Sequence, residues 1–228
     1  MKKSKIVLIL ATGIAILIAG IVFKQEFFLM IPLFVSLFVM SFQSEANRIG
    51  PLIGSINSLI YTAAYIYMGV YASAASAILF SFPIQLMTFF RWKKNAYKKT
   101  AIFRKMTTKM RIIWSALFIV AWGIIAVIFK QLDYEYAILD SCTLLFGFVI
   151  PVLTMLAFIE YTYLWIVQCV LGVFLNIQMV VNDPKETTYL IYGVYALICV
   201  IGAFINVQKF YKEQQENLAG EENGKSEE

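Results

Sequence analysis

Histidine is absent from the 228-residue chain, and cysteine occurs only three times, at Cys142, Cys169 and Cys199. Histidine and clustered cysteines supply most zinc sites, acid–base pairs and activated nucleophiles. We therefore expect no catalytic residue, no metal site and no cofactor. Each cysteine falls within an apolar segment, where cysteine most often packs as a small hydrophobic side chain.

Charged residues are also scarce, at 14% of the chain, whereas hydrophobic residues make up 61%. This composition is not typical of a water-soluble domain. A helix that crosses a bilayer needs about 20 apolar residues, because hydrocarbon offers its backbone groups no hydrogen-bond partner. The chain has room for about eight such helices, which predicts an all-α integral membrane protein with no separate catalytic domain.

The apolar segments divide the chain into helices and bundles. Residues 1–26 predict an N-terminal transmembrane helix rather than a cleaved signal peptide, because the apolar run has no convincing small-residue cleavage site. A first three-helix bundle follows over 27–90, then a linker helix over 112–131 and a second three-helix bundle over 137–207. The polar residues 208–228 predict a disordered cytoplasmic tail.

The segment 91–111 is strongly basic, with nine of the nineteen lysines and arginines and no acidic residue. Cytoplasmic loops of membrane proteins carry such an excess, which predicts that this loop and both termini are cytoplasmic and that the protein lies in the cell membrane. A basic loop can also bind nucleic acid. Beside a membrane, a topology signal that contacts anionic lipid headgroups is the better interpretation, and we expect no nucleic-acid partner.

The order of three helices, one helix and three helices predicts a symmetry. Because a single helix separates the two bundles, the second bundle begins on the same side of the membrane as the first. The bundles would then be parallel repeats about an axis normal to the membrane, as in SWEET-like transporters.

Polar and aromatic residues recur at helical spacing on three of the predicted helices. These stripes are Asn57, Tyr61 and Tyr65 on the third helix, Ser81, Gln85, Thr88 and Trp92 on the fourth, and Tyr161, Trp165, Gln168, Gly172 and Asn176 on the seventh. Polar groups inside a membrane either line a cavity or bind other helices, so the stripes predict a solute pathway or helix–helix contacts.

Asn57, Gln85 and Trp165 are the strongest candidates for binding a solute. Amides hold hydroxyl groups through paired donors and acceptors, and an indole face suits a flat ring, including a cationic one. Trp92 lies beside the basic loop and is interpreted as a headgroup-belt residue. Asp140 and Glu160 lie near helix ends, where they either contact the interface or take part in the site.

Residues 54–95, GSINSLIYTAAYIYMGVYASAASAILFSFPIQLMTFFRWKKN, are similar to the signature region of the PnuC family of nicotinamide riboside transporters. The resemblance continues to about residue 212 and rests on Asn57, Tyr61, Tyr65, Gly69, Tyr71, Pro83, Gln85, Trp92, Lys93 and Lys94, then on Asp140, Glu160 and Trp165. It implies a substrate site formed by Asn57, Tyr61, Gln85, Asp140, Trp165, Gln168 and Cys169.

The sequence departs from the family pattern Glu-x-Trp-x-x-Trp-x-x-x-Asn, which begins here at Glu160. Thr162 replaces the first tryptophan and Cys169 replaces the asparagine. In the last helix Gly202 stands where another asparagine is expected, and Asn206 lies one turn further on. The cargo is therefore open between nicotinamide riboside and thiamine, riboflavin or a deoxynucleoside.

The resemblance implies facilitated diffusion into the cytoplasm, followed by trapping through phosphorylation of the arriving vitamin. It also implies a homo-oligomer, in this family a trimer. A membrane subunit that does not transport is the alternative, in which the polar stripes only bind other helices. An intramembrane enzyme is disfavoured, because Asp140 and Glu160 would lie about 30 Å apart at opposite ends of one helix.

Overall fold

The computed structural model describes residues 3–67, 71–131 and 137–225, and the side chain of Asp140 is among the few in these ranges that lie outside the description. Nearly all of the described chain is helical. In chain order the elements are α1 (Lys3–Val22), α2 (Phe27–Ser44), α3 (Ile49–Tyr67), α4 (Tyr71–Ser76), a π-helical turn (Ala77–Ser81), α5 (Phe82–Lys94), β1 (Ala96–Tyr97), β2 (Thr100–Ala101), α6 (Thr108–Gln131), α7 (Ala137–Met155), α8 (Tyr161–Asn182), a 3₁₀ turn (Pro184–Glu186) and α9 (Thr187–Lys225).

Seven described helices are long and apolar enough to cross a membrane, and α4, the π-helical turn and α5 together provide one of them, which we call the fourth span. The apolar part of α7, Ser141–Met155, is shorter. None of the residues of α6 is buried, and Ile112, Leu117 and Ile124 are all more than half exposed. Such a surface is stable in lipid rather than in water, which confirms the predicted all-α integral membrane protein.

Six of the helices form a closed ring. Going round it, α2 packs against α3, α3 against the fourth span, the fourth span against α7, α7 against α8, α8 against α9, and α9 against α2. Outside the ring, α1 packs against α2 and α9, and α6 packs against α7. Each predicted three-helix bundle thus contributes one continuous half of the ring.

Ion pairs link α1 and α9 to the basic loop on one side of the ring, α1 through Glu45. Lys5 in α1 lies 3.3 Å from Glu45, and Lys99 in the loop lies 3.0 Å from the same carboxylate. Near the other end of the chain, Glu213 in α9 pairs with Lys98 of the loop. We call this side of the protein the loop face.

The first helix of each half ends in the same way. Ala46, after α2, and Ala157, after α7, have positive φ angles of 50° and 57°. In each turn the alanine amide donates to the carbonyl three residues earlier, and the next amide donates to the carbonyl five residues earlier. This is a Schellman-type C-cap, and its occurrence at corresponding places is what parallel repeats would produce. The repeat itself stays a prediction.

The fourth span changes its helical form just before a proline. Pro83 lies at the first turn of α5, where it has no amide hydrogen to donate, and the five residues Ala77–Ser81 before it are π-helical. A π-helical turn widens the helix and re-aims its side chains, and such turns are frequent at functional sites. Phe80 and Ser81 of this turn line the interior of the ring.

The structure differs from the predicted disordered tail, because α9 continues to Lys225. The side chain of Gln214 is 4% exposed, donates to the Ala101 carbonyl and accepts from the Phe103 amide. The basic loop thus supplies hydrogen-bond partners for a segment whose polar composition predicted only solvent. Those partners lie more than a hundred residues away in sequence and cannot be inferred from local composition.

Candidate functional site

A cavity of about 440 Å³ lies inside the helix ring, which is within the usual size range of small-molecule sites. All six ring helices contribute to its lining, α9 through Tyr192. Its polar and aromatic residues are Ser36, Gln43, Asn47, Asn57, Ser58, Tyr61, Tyr65, Ser76, Phe80, Ser81, Gln85, Thr88, Trp92, Phe148, Thr154, Tyr161, Trp165, Gln168 and Tyr192.

No lysine, arginine, aspartate or glutamate is among the described residues that line the cavity. A solute inside the ring can therefore be held by hydrogen bonds from neutral groups and by aromatic faces. No side chain in this lining is available to compensate a buried anionic group, which makes such a group costly to hold here.

Five of the residues predicted to bind substrate line this cavity, namely Asn57, Tyr61, Gln85, Trp165 and Gln168. Cys169 does not line it and instead packs, partly buried, against the apolar cluster between α2 and α9 that includes Leu37 and Cys199. The Asp140 side chain lies outside the described residues. The binding roles themselves stay predictions.

Asn57 is fixed by α2. Its Nδ2 donates to Ser36 Oγ at 2.8 Å and to the Pro32 carbonyl at 3.2 Å, while Tyr61 Oη lies 3.4 Å from the same serine oxygen. The Asn57 side chain is buried, and its carbonyl oxygen Oδ1 has no hydrogen-bond partner in the described structure. Ser36 and the Pro32 carbonyl thus fix the amide with its acceptor atom unpaired.

Gln85 repeats this arrangement on the fourth span. Its Nε2 donates to Ser58 Oγ at 3.0 Å, and its buried Oε1 has no partner among the described residues. The amide lies directly over Gly54 of α3, where a Cβ atom would overlap Gln85 Oε1. Glycine at position 54 is what allows α3 and the fourth span to hold this amide between them.

The two amides share a chemical consequence. Both use their NH₂ groups inside the protein and leave buried carbonyl oxygens without a described partner, and both side chains line the cavity. A buried acceptor without a partner costs about 1–3 kcal/mol, which a ligand hydroxyl or amine could recover. The site is therefore suited to a ligand that is rich in hydrogen-bond donors.

Aromatic rings provide flat surfaces near these amides. The Trp165 ring lies 6.1 Å from that of Tyr161 on α8, and Tyr61 and Tyr65 stack at 5.7 Å on α3. Aromatic faces in a cavity without charged side chains attract planar and cationic rings.

Trp92 is not the headgroup-belt residue that the sequence predicted. It is 3% exposed, its Nε1 donates to the Thr154 carbonyl at 2.9 Å, and its ring packs edge-on against Phe103. The basic loop folds back over Trp92, so the indole lines the end of the cavity that lies toward the loop face.

Two further expectations concern residues that lie away from the cavity lining. Glu160 accepts from the Met106 amide at 3.1 Å and pairs with Arg111 at 2.7 Å, so it holds the loop to α8. Asn206 donates to the Ser44 and Gly202 carbonyls and joins α9 to α2. Asn206 is not among the described residues that line the cavity, so it does not take the place of the asparagine expected at position 202.

Sequence reasoning missed Ser36 and Tyr192. Ser36, Met40 and Gln43 share a face of α2 at spacings of four and three residues, and all three line the cavity. That stripe was available as a signal, although it is sparse within an apolar run. Tyr192 carries no comparable signal, because its approach to Ser36 depends on the contact of α9 with α2 that closes the ring.

Comparisons with known proteins agree with this architecture. The sequence profile of a family described as nicotinamide mononucleotide transporter matches residues 26–206. The crystal structure of the vitamin B3 transporter PnuC superposes with a TM-score of 0.74 and 18% sequence identity, over 93% of this chain and 94% of that one. At this identity the structural match shows the fold alone. No curated protein sequence gives a significant match.

Proposed function

The chain belongs to the nicotinamide mononucleotide transporter family, and from this premise we propose that it carries nicotinamide riboside, or a closely related vitamin nucleoside, into the cytoplasm by facilitated diffusion. As a multi-pass membrane protein of this family it is a transporter rather than an enzyme. The proposal concerns which form of the cargo enters and how it is held.

The observation that carries the proposal is the uncharged lining of the cavity. A mononucleotide has a phosphate that needs a cation or several donors, and the described lining offers neither lysine nor arginine. A riboside has no phosphate and offers several hydroxyl donors. The open oxygens of Asn57 and Gln85 match such donors, and the indole of Trp165 suits a flat cationic pyridinium ring.

The departures from the family pattern leave the proposed cargo in place. Thr162 is fully buried and its hydroxyl donates to the Ile159 carbonyl, and neither it nor Cys169 lines the cavity. Thiamine, riboflavin and deoxynucleosides remain the alternative cargos, because they too combine a flat ring with donor groups. A role for Asp140 in binding stays a prediction.

The transport cycle follows from the arrangement of the ring. We infer that the halves α2 to α5 and α7 to α9 rock about the cavity, with α6 connecting them, and that the loop face is cytoplasmic because of its positive charge. No energy source is needed if the riboside is phosphorylated on arrival, since the neutral lining would hold the product poorly. Assembly as a homo-oligomer belongs to the same proposal.

The proposal is tested by thermal unfolding of the detergent-purified protein. Ligands that bind the native state stabilise it by about 2.7 kcal/mol at a hundredfold excess over Kd. We expect nicotinamide riboside to raise the Tm and nicotinamide mononucleotide to leave it unchanged, with thiamine, riboflavin and deoxynucleosides as further ligands.

Trp165→Ala should abolish the Tm shift. Phe174→Ala is the control, because it removes an exposed phenyl group from the same helix, and this variant should keep the shift. A mononucleotide shift as large as that of the riboside would contradict the argument from the uncharged lining. If thiamine or riboflavin alone raised the Tm, that vitamin would replace nicotinamide riboside as the proposed cargo. A shift with none of the ligands would favour the membrane subunit that does not transport.

A further inference from the structure

A second cavity, of about 280 Å³, lies on the loop face. Two arginines line it, Arg91 from the last turn of α5 and Arg104 from the basic loop, together with the polar side chain of Asn95. Trp92 lines both this cavity and the central one, so the two cavities share one indole.

The backbone holds the two arginines in place from separate elements. The Arg104 amide donates to the Ala157 carbonyl and its carbonyl accepts from the Ile159 amide, both at 2.9 Å, in a parallel bridge to the turn after α7. Arg91 is helical, and its carbonyl accepts from the Asn95 amide at 3.0 Å. The rim of the cavity is therefore ordered structure rather than a loose loop.

The charges around this cavity are not balanced. Elsewhere in the loop, Lys98 pairs with Glu213, Lys99 with Glu45 and Arg111 with Glu160. Within the described residues, the Arg91 and Arg104 side chains have no hydrogen-bond or ion-pair partner, and no carboxylate lines the cavity. Two guanidinium groups that share one cavity repel each other until an anion joins them.

The other unpaired cations of the loop lie elsewhere. Lys93, Lys94, Lys105 and Lys109 are exposed, and none of them lines the cavity. They increase the positive potential of the loop face without pointing to a particular ligand. The same residues provide charge-matched controls for the two arginines.

We propose that Arg91 and Arg104 form a binding site for a phosphate group. The planar guanidinium fork matches the oxygens of a phosphate in pairs, and the Asn95 amide adds a donor. The end of α5 presents its partial negative charge here, which opposes an anion, but two full positive charges outweigh half of one negative charge. Volume is sufficient for a phosphate with part of the group that it esterifies.

Such a phosphate has two possible sources with the same chemistry. One is a soluble phosphate, free or as an ester such as a phosphorylated vitamin nucleoside, and the other is the headgroup of an anionic lipid. Ile102 lines the cavity and is 50% exposed, so the cavity opens to the outside of the protein. The proposal is independent of the cargo, because the central cavity takes no part in it.

The first arm of the test measures thermal unfolding of the full detergent-purified protein with increasing inorganic phosphate, against chloride at equal ionic strength. We expect a saturable rise in Tm for the unmodified protein. The double variant Arg91→Gln/Arg104→Gln should weaken the apparent affinity at least tenfold, whereas Lys93→Gln/Lys105→Gln, with the same loss of charge, should change it less than threefold.

The second arm measures how much phosphatidylglycerol stays with the protein after purification from vesicles of phosphatidylglycerol and phosphatidylcholine. Loss of the bound anionic lipid in the arginine variant and not in the lysine variant assigns the site to a lipid headgroup. If the arginine variant loses the response to inorganic phosphate but keeps the bound lipid, the site is assigned to a soluble phosphate.

Equal losses of phosphate and lipid binding in the arginine and lysine variants, or no loss in either variant, would overturn the proposed site.

The single variant Arg104→Gln controls for misfolding of the double variant. Its side chain is exposed, and the backbone hydrogen bonds of residue 104 do not depend on the side chain. It should unfold at the Tm of the unmodified protein without phosphate and still bind phosphate at least threefold more weakly. Unchanged binding in that variant would also count against the proposal.

Discussion

The central cavity and the loop face are built from opposite kinds of polar group. The described lining of the cavity contains only neutral side chains, and two of its amide oxygens are without partners. The loop face contains charged side chains, and Glu45, Glu160 and Glu213 are each joined to a cation of the loop. One region keeps hydrogen-bonding capacity open inside the membrane, and the other uses its charges to bind segments of the protein together.

The difference predicts that mutations in the two regions separate binding from stability. Cavity residues that hold open acceptors should matter for the ligand more than for the fold. Residues of the loop face should matter for the fold and for its response to salt and pH, while the riboside affinity stays the same. The following predictions test that separation, beginning with the largest expected effect.

Gly54→Ala should be the most damaging small change in the cavity. The added Cβ would overlap Gln85 Oε1, so the Gln85 amide must leave its place. Because the overlapped atom is the end of a flexible side chain, the amide can swing aside at little cost to the fold, and we expect a slightly lower Tm together with loss of riboside binding. Thermal unfolding with and without nicotinamide riboside measures both.

Gly172→Ala on α8 is the matched control, because no atom lies within 4 Å of its added Cβ. Alanine is favoured over glycine in a helix by about 1 kcal/mol, so this variant should be as stable as the unmodified protein or more so. If Gly54→Ala behaved in the same way, the close contact between Gly54 and Gln85 would be wrong.

Asn57→Leu should reduce binding strongly while leaving the empty protein nearly as stable. Leucine has a similar shape and removes a buried acceptor that has no partner, so the loss of the contacts with Ser36 and Pro32 is partly offset. We expect affinity for the riboside to fall about tenfold or more, and the free energy of unfolding to change by less than about 1 kcal/mol.

Asn176→Leu provides the opposite control. Asn176 Nδ2 donates to the Tyr189 carbonyl at 3.3 Å and does not line the cavity. Its replacement should lower stability by about 1 kcal/mol and leave riboside affinity unchanged. Equal effects of the two asparagine variants on affinity would show that the open Asn57 oxygen has no role in binding.

Much of this organisation was accessible from the sequence, because bilayer-spanning helices are determined locally by length and hydrophobicity. Asn57, Gln85 and Trp165 could be selected since helical periodicity reports which side chains share a face. Ser36, Tyr192 and the burial of Trp92 depend on how distant helices and the loop pack together. The Gln214 contacts with Ala101 and Phe103 are of the same kind, which is why a folded segment was predicted to be disordered.

Glu160→Gln should lower stability moderately and leave binding unchanged. Glutamine keeps an oxygen for the Met106 amide, but the ion pair with Arg111 is lost, and Glu160 has only 13% of its side chain exposed. We expect a loss of about 1 kcal/mol at low salt and a smaller difference at 1 M salt, where the charges are screened.

The exposed pair of Lys98 and Glu213 is the comparison for this variant, because 60% of the lysine side chain is exposed. Glu213→Gln should have almost no effect on the Tm at either salt concentration. If Glu160→Gln weakened riboside binding as much as Asn57→Leu, the loop face would take part in the site and the separation between the two regions would fail.

The smallest effect should be a pH dependence that arises at Glu45. Burial alone would raise the pKa of Glu45, but the hydrogen bond from Lys99 and the charges of Lys5 and Lys99 outweigh burial and lower its pKa below the ordinary value of 4.5. A carboxyl group with a lowered pKa stabilises the folded state above its unfolded pKa, and this contribution disappears as the pH falls through the folded pKa. Between pH 7 and pH 3 the unmodified protein should therefore lose more stability than Glu45→Gln, and the difference should be less than about 1 kcal/mol in thermal unfolding. Because no carboxylate lines the described part of the cavity, Glu45→Gln should leave the pH dependence of riboside binding unchanged. If the variant altered that pH dependence, the turn between α2 and α3 would be coupled to the site.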